Sequence, residues 1–489
     1  MSNPLKKLLG QTAIYGLSVI VGRALNFLLI PLYTSEAVFA EPKDYGVVAE
    51  LYAWVAFLIV LLPFGMETAF FKFFSDDEKN KDQIFQNSFL SVIGINISFF
   101  AVILLFNQQI ADWMLFGDHP GYILLLAAIV CADAIASLPM AKLRAENKPA
   151  RFALIQFSSI LVMVVLNLLF LLVFFNKNTS DPSDAVFYIL IANLIAALVK
   201  LTLVYKDFLA IKFKLDFDLV KKMLWYALPL VFAGFAGIVN ETLDRILLKR
   251  LLFEQHSLAY AEAQVGIYSA CYKLAMLVTI LIQAYRYAAE PFFFANSKRE
   301  DRNKLYVKVM NYFVAFVCLI FIGVSFNIQI FKYFIPNEAY WEGLKVVPIL
   351  LLANVFLGIY YNQSIWYKLS GQTKFGAFIA IGGAMITVAI NLAFIPLYGY
   401  MASAWATLIV YALQMIASYL LGQKYFPIKY NLRKFSLYLG LALFLFLITR
   451  LINLDDGLLQ FSIHNTLVIF FVVVIYVLEK PSKKKAIVV

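Results

Sequence analysis

Two cations stand where cations are rare. Arg23 lies inside residues 10–33 and Lys273 inside residues 265–290, both apolar runs long enough to cross a bilayer. A spanning helix needs roughly 20 mostly apolar residues, and a charge near its centre costs at least about 2.5 kcal/mol on the most lenient insertion scale. Such a charge faces a protein interior or a watery cavity rather than lipid. At helical spacing Thr12, Tyr15, Gly16, Val19, Arg23 and Asn26 share one stripe of the first run. Gly266, Ser269, Lys273, Met276, Ile280, Gln283, Tyr287 and Glu290 share one stripe of the second. Arginine grips phosphate oxygens bidentately, while lysine supplies a compact point charge. The chemistry these stripes offer is contact with an anionic group inside the membrane; the plainer role is an ion pair with a neighbouring carboxylate. Arg245 sits near a helix end, where its long side chain can snorkel to the interface. Glu50, Glu67, Glu241, Asp244 and Glu290 border the same helices. They are candidates for pairing with the cations, and for binding a coupling proton or sodium ion, because embedded carboxylates often relay protons.

The elements that must position these residues are membrane spans. The chain is 62% hydrophobic and only 15% charged, with a mean hydropathy of +0.80, whereas soluble domains are about 25% charged. Fourteen apolar runs fall near 10–33, 46–69, 84–106, 122–141, 152–175, 186–205, 224–248, 265–290, 308–330, 345–367, 376–396, 400–422, 435–451 and 463–479. With both termini in the cytoplasm, 31 of the 41 lysines and arginines fall on the cytoplasmic side. Only that orientation agrees with the bias of basic residues toward cytoplasmic loops. It places Lys43, Lys249, Arg250 and Lys332 in outer loops, and Arg286 and Lys368 at inner ends. The run after Lys6 and Lys7 is too long for a leader and lacks a small-residue cleavage site, so it reads as the first helix.

The net charge of +11 is distributed over short loops between apolar runs, which fits a membrane protein and not a nucleic-acid footprint. The loop 206–223 reads as an amphipathic surface helix. No loop is long enough to house a catalytic domain, and no GxxxxGK[ST], HExxH, CxxC or GxSxG occurs, so the expectation is a transporter without enzymatic activity, cofactor or metal. Cys131, Cys271 and Cys318 lie in apolar runs as small hydrophobes. His119, His256 and His464 fall in or beside outer loops, where solvated histidines are expected. Asn96, Asn167, Asn193, Asn354 and Asn391 read as hydrogen-bonding glue between helices, as does Asp133. Pro229, Gly234 and Gly237 make the seventh span bendable.

A faint repeat adds to this. Tyr45-Gly46, Tyr52 and Phe73-Phe74 recur as Val265-Gly266, Tyr272 and Phe293-Phe294, all offset by 220. Sliding span 1 by 222 sets Gly22-Arg23 on Asp244-Arg245. Spans 1–6 and 7–12 then read as parallel halves: 1–206, a linker 207–223, and 224–422, followed by spans 13 and 14 and a basic tail in 423–489.

The chain resembles the multidrug/oligosaccharidyl-lipid/polysaccharide exporter superfamily, and within it the bacterial polysaccharide-biosynthesis flippases of O-antigen and exopolysaccharide type. The resemblance rests on the internal Arg23 followed by Tyr45-Gly46, and on Tyr226-Ala227-Leu228-Pro229 with Asp244-Arg245. Gly266-Ile267-Tyr268 and Ile395-Pro396-Leu397-Tyr398-Gly399-Tyr400 with Ala402 and Ala404 complete it. It implies an all-α membrane fold of about 14 spans, as a V-shaped pair of six-helix lobes plus two helices. Spans 1, 2, 7 and 8 would line a cavity alternating between membrane faces. It implies an undecaprenyl-diphosphate-linked oligosaccharide as cargo in the bacterial inner membrane, beside membrane lipid and, in some systems, polysaccharide polymerase machinery. Arg23, Asn26, Lys273, Arg245, Gln283 and Tyr287 would then be headgroup contacts. The alternatives are a cation-coupled multidrug exporter, a lipid II flippase, or a polytopic polymerase or ligase. The last needs a sizeable outer loop that this sequence lacks.

Overall fold

A computed structural model describes residues 16, 20–76, 80–209, 215–451 and 457–480. Among these residues every regular element is helical. Thirteen segments are long and apolar enough to cross a membrane, and a shorter apolar helix, α1 (Ile20–Tyr33), precedes them. The chain is therefore a multi-pass all-α membrane protein, with α1 in the place of the expected first span. Thr12, Tyr15 and Val19 of the first stripe lie outside the described residues, as do Lys6, Lys7, Lys79, Lys212, Lys214 and Lys483 to Lys485.

The second span is two helices, α2 (Pro42–Leu61) and α3 (Met66–Asp76). Between them Phe64 and Gly65 take positive φ values of 49° and 66°, a conformation glycine adopts without penalty. A Cβ on Gly65 would stand 3.1 Å from that of Ala227, so the glycine also admits the seventh span at close range. Then follow α4 (Lys81–Leu105), α5 (Asn107–Trp113), α6 (Pro120–Ala145), α7 (Pro149–Leu169) and α8 (Pro182–Leu203). Asp181 starts α8 with a capping box, its carboxylate accepting from Ser183 N at 2.8 Å.

The surface helix expected over 206–223 takes another form. A five-residue α9 (Tyr205–Leu209) ends the first half, residues 210–214 lie outside the described residues, and Phe217 opens a 37-residue α10 (Phe217–Phe253). Asp216 caps that helix by accepting from Leu219 N at 3.1 Å, which lets it start seven residues before the seventh apolar run. It continues through Pro229 without interruption. At its other end α10 passes the expected boundary at 248, with consequences for Lys249. After it come α11 (Leu258–Ala295), α12 (Arg302–Phe326), α13 (Val347–Gln363), α14 (Lys374–Tyr398), α15 (Tyr400–Tyr425), α16 (Leu432–Leu451) and α17 (Gly457–Glu479).

These helices form two compact units. The first comprises Met1–Ala270, Pro336–Tyr340 and Ala380–Ala406; the second comprises Cys271–Ile335, Trp341–Ile379 and Thr407–Val489. The repeat groups residues in chain order, whereas the first unit keeps α10 and the start of α11 with the first six spans. Its core is built on Met66, Phe70, Phe85, Phe89 and Leu138, closed by Met223 and Ala227 of α10. In the second unit α12 is the hub, packed by α13, α16 and α17.

The buried amides hold helix to helix. Asn167 accepts from Tyr33 Oη at 2.8 Å, Asn193 donates to Tyr52 Oη at 2.9 Å, and Asn354 donates to the Ala275 carbonyl at 2.9 Å. Asn391 accepts from Ser403 at 2.8 Å. Asn96 reaches the Leu62 carbonyl at 3.4 Å. Asp133 pairs with Lys200 at 2.6 Å. His464 differs from the solvated residue expected: it is buried, with Nδ1 2.7 Å from the Phe326 carbonyl, because α17 packs on α12 at that level. All three cysteines are buried.

Candidate functional site

The second unit carries part of the α11 stripe. Lys273 and Gln283 are half-buried there, and Tyr287 is exposed. One turn on, Glu290 gathers two cations. Its Oε1 lies 3.6 Å from Arg286 Nη2, the next position back on the same helix face, and 2.5 Å from Lys368 Nζ on the short helix Ile365–Leu369. The Arg286 guanidinium also lies over the Tyr361 ring at 4.1 Å. One carboxylate against two cations leaves a surplus positive charge, and all three side chains are partly exposed. In the sequence Arg286 and Lys368 stand as loop-end charges at inner helix ends. The signal for Arg286 was its i,i+4 spacing from Glu290 on a helix already carrying Lys273.

In the first unit, Arg23 and Asn26 are exposed on α1, and Arg23 makes no ion pair among the described residues. The other candidates are engaged. Arg245 is buried; Nη1 lies 2.7 Å from Asp244 Oδ1, and Tyr268 Oη donates to Asp244 Oδ2 at 2.6 Å. The Arg245 guanidinium also donates to the Glu241 carbonyl, while the Glu241 residue is exposed. Glu67 pairs with Arg144 of α6, which lies over the Phe71 ring.

Glu50 finds a partner that sequence reasoning placed in an outer loop. Because α10 runs on to Phe253, Lys249 is turned inward and its side chain is only 2% exposed. Nζ lies 2.8 Å from Glu50 Oε2 on α2, 3.2 Å from Glu262 Oε1 on α11, and 3.4 Å from the Leu115 carbonyl. It also sits 3.6 Å above the Phe116 ring. Leu115 holds a positive φ of 62°, closing α5 where glycine is usual, and this turn delivers its carbonyl. Beside the triad α2 and α11 cross at Gly46 and Gly266. A Cβ on Gly46 would fall on the Glu262 carbonyl, and one on Gly266 would fall on the Pro42 carbonyl. Glu262 opens into a cleft of about 510 Å³ lined also by Asp44, Phe116, His119, Tyr122 and Asp181.

A family model described as "Polysaccharide biosynthesis protein" matches residues 8–297. The chain belongs to that family. Among solved structures, a lipid II flippase MurJ in an inward closed conformation is similar at 15% identity, covering 94% of this chain and 98% of its own, with a TM-score of 0.73. A MATE protein in its bent conformation is similar at 14% identity, covering 91% and 100%, with a TM-score of 0.57. The Vibrio cholerae MATE transporter VcmN, also in a bent form, is similar at 12% identity, covering 89% and 99%, with a TM-score of 0.57. No curated protein matches. The fold of this chain is thus shared with the lipid II flippase MurJ and the MATE structures.

Two kinds of charged group therefore coexist in this chain. Accessible cations on apolar helices, Arg23 and the Arg286–Lys368 pair, can meet an anion. Enclosed pairs, at Asp244–Arg245 and Glu50–Lys249–Glu262, have their partners within the protein. A buried pair contributes most by the cost of breaking it, since removing one partner leaves an uncompensated charge.

Proposed function

We propose that this protein is an alternating-access flippase that carries an undecaprenyl-diphosphate-linked oligosaccharide from the cytoplasmic to the outer leaflet. The product would feed O-antigen, capsule or exopolysaccharide synthesis. In this reading the protein lies in the bacterial cytoplasmic membrane with both termini inside, next to the polymerase machinery. The observation that carries the reading is the surplus of accessible positive charge on apolar helices. Arg23 has no ion pair among the described residues, and Arg286 and Lys368 share one carboxylate. A diphosphate is the matching anion: an arginine fork binds its oxygens in pairs, and its isoprenoid tail remains in lipid. Lys273, Gln283 and Tyr287, on the same stripe of α11, extend the polar track toward the outer side.

The test is a lipid extract from a deletion strain, analysed for diphosphate-linked oligosaccharides, with the gene returned in wild-type, Arg23→Ala and Arg286→Ala forms. Complete repeat units should accumulate on deletion, and surface polymer should return with the wild-type gene only, at equal membrane abundance of all three proteins. An unchanged lipid pool with new sensitivity to cationic drugs would favour an exporter. Accumulation of the peptidoglycan precursor would favour a lipid II flippase.

A further inference from the structure

The Glu50–Lys249–Glu262 triad has a charge imbalance that the proposed cargo does not use. Two carboxylates face one ammonium, and the Glu50 and Lys249 side chains are only 4% and 2% exposed. The ammonium is already surrounded by Glu50, Glu262 and the Leu115 carbonyl. Glu50 Oε2 lies at ion-pair distance from it yet accepts no hydrogen bond. Trp54 and Phe116 wall the site with aromatic surface. A net negative charge enclosed in this way costs several kcal/mol unless something neutralises it. Of the two carboxylates, Glu262 is the more exposed at 13%, and it lines the cleft.

We infer that Glu262 is a proton-binding site in the lining of this cleft. Its carboxylate takes one proton from cleft water and becomes a neutral acid, Lys249 keeps Glu50 as its ion-pair partner, and the charge of the triad rises from −1 to zero. A sodium ion fits less well, because the ammonium already occupies the position between the carboxylate oxygens. The surroundings favour a positive charge arriving. On α2 Lys43 and Asp44 face the cleft; the turn between α5 and α6 adds Asp118 and His119; α5 adds Asp112 and the start of α8 adds Asp181. Acidic groups outnumber basic ones among them, and the cleft focuses their field. The triad shares no residue with the headgroup cations, so this inference holds whether or not the cargo is an oligosaccharide.

The experiment is infrared difference spectroscopy of the purified full-length protein, titrated from mildly alkaline to mildly acidic pH. The signal is the protonated-carboxyl stretch and its shift in deuterated water. With Asp44→Asn as the background of every sample, so that the other partly buried carboxylate of the cleft adds no signal, the otherwise wild-type protein should gain one such carboxyl per chain. Glu262→Gln should lose the signal, and so should Glu50→Gln, because removing either carboxylate leaves Lys249 with a single balanced partner. Exchanging sodium for choline should leave the wild-type signal unchanged. A wild-type protein without the signal, a signal that survives both substitutions, or one abolished by added sodium would each overturn the assignment.

Discussion

Lys249 decides more about this molecule than its place in the sequence suggests. Immediately beyond an apolar run and next to Arg250, it has the look of an ordinary loop lysine. The structure encloses it with two glutamates, 199 and 13 residues away in sequence yet within 3.2 Å in space. Lys249→Met should therefore destabilise strongly, by about 3–5 kcal/mol, since it strands two buried carboxylates. Thermal unfolding in detergent should show a large drop, and Glu50→Leu with Glu262→Leu added to Lys249→Met should recover most of it, because apolar replacement of a whole ionic set is often neutral. Failure of the triple variant to recover would mean that the charges do more than balance one another. The candidate cations were readable in the sequence where they interrupted apolar runs, as Arg23 and Lys273 do. Partners were not readable: nothing local ties Glu50 to Lys249, or Glu67 to Arg144, because those pairs exist only after distant helices pack.

At the scale of elements, hydropathy located nearly every span, because twenty apolar residues have few alternatives in a bilayer. Helix ends were harder, since capping is polar and local. Asp216 starts α10 inside what composition marked as a separate surface helix, and the left-handed Phe64–Gly65 pair splits the second span within an apolar run, marked only by Pro63 and Gly65. Caps also supply a pH dependence. Asp181 accepts from the Ser183 backbone and side chain, and these bonds hold its carboxyl below the usual carboxylate range. Its contribution to α8 is thus complete at neutral pH and is lost as the pH falls through that lowered value. Asp181→Ala should cost about 1 kcal/mol at neutral pH, and the difference from wild type should shrink in acid. A difference that persists unchanged at low pH would show that the loss is not one of capping.

For the whole molecule, the orientation rests on the lysines and arginines, and it can be read directly. The three native cysteines are buried, so their replacement leaves a clean background for labelling. In intact cells Lys43→Cys and Lys332→Cys should react with a membrane-impermeant maleimide, whereas Arg302→Cys should react only after permeabilisation. The opposite pattern would invert the topology. The internal repeat, faint in sequence, has a physical meeting point. Gly46 and Gly266, offset by 220, touch each other, and each would strike the carbonyl four residues before the other. The two positions are therefore two halves of one contact, and mutational arithmetic should register that. Gly46→Ala and Gly266→Ala should impair the protein to a similar degree, and the double variant should be little worse than either. Sites in direct contact are where additivity fails, and here one close crossing of two helices answers to two places in the gene.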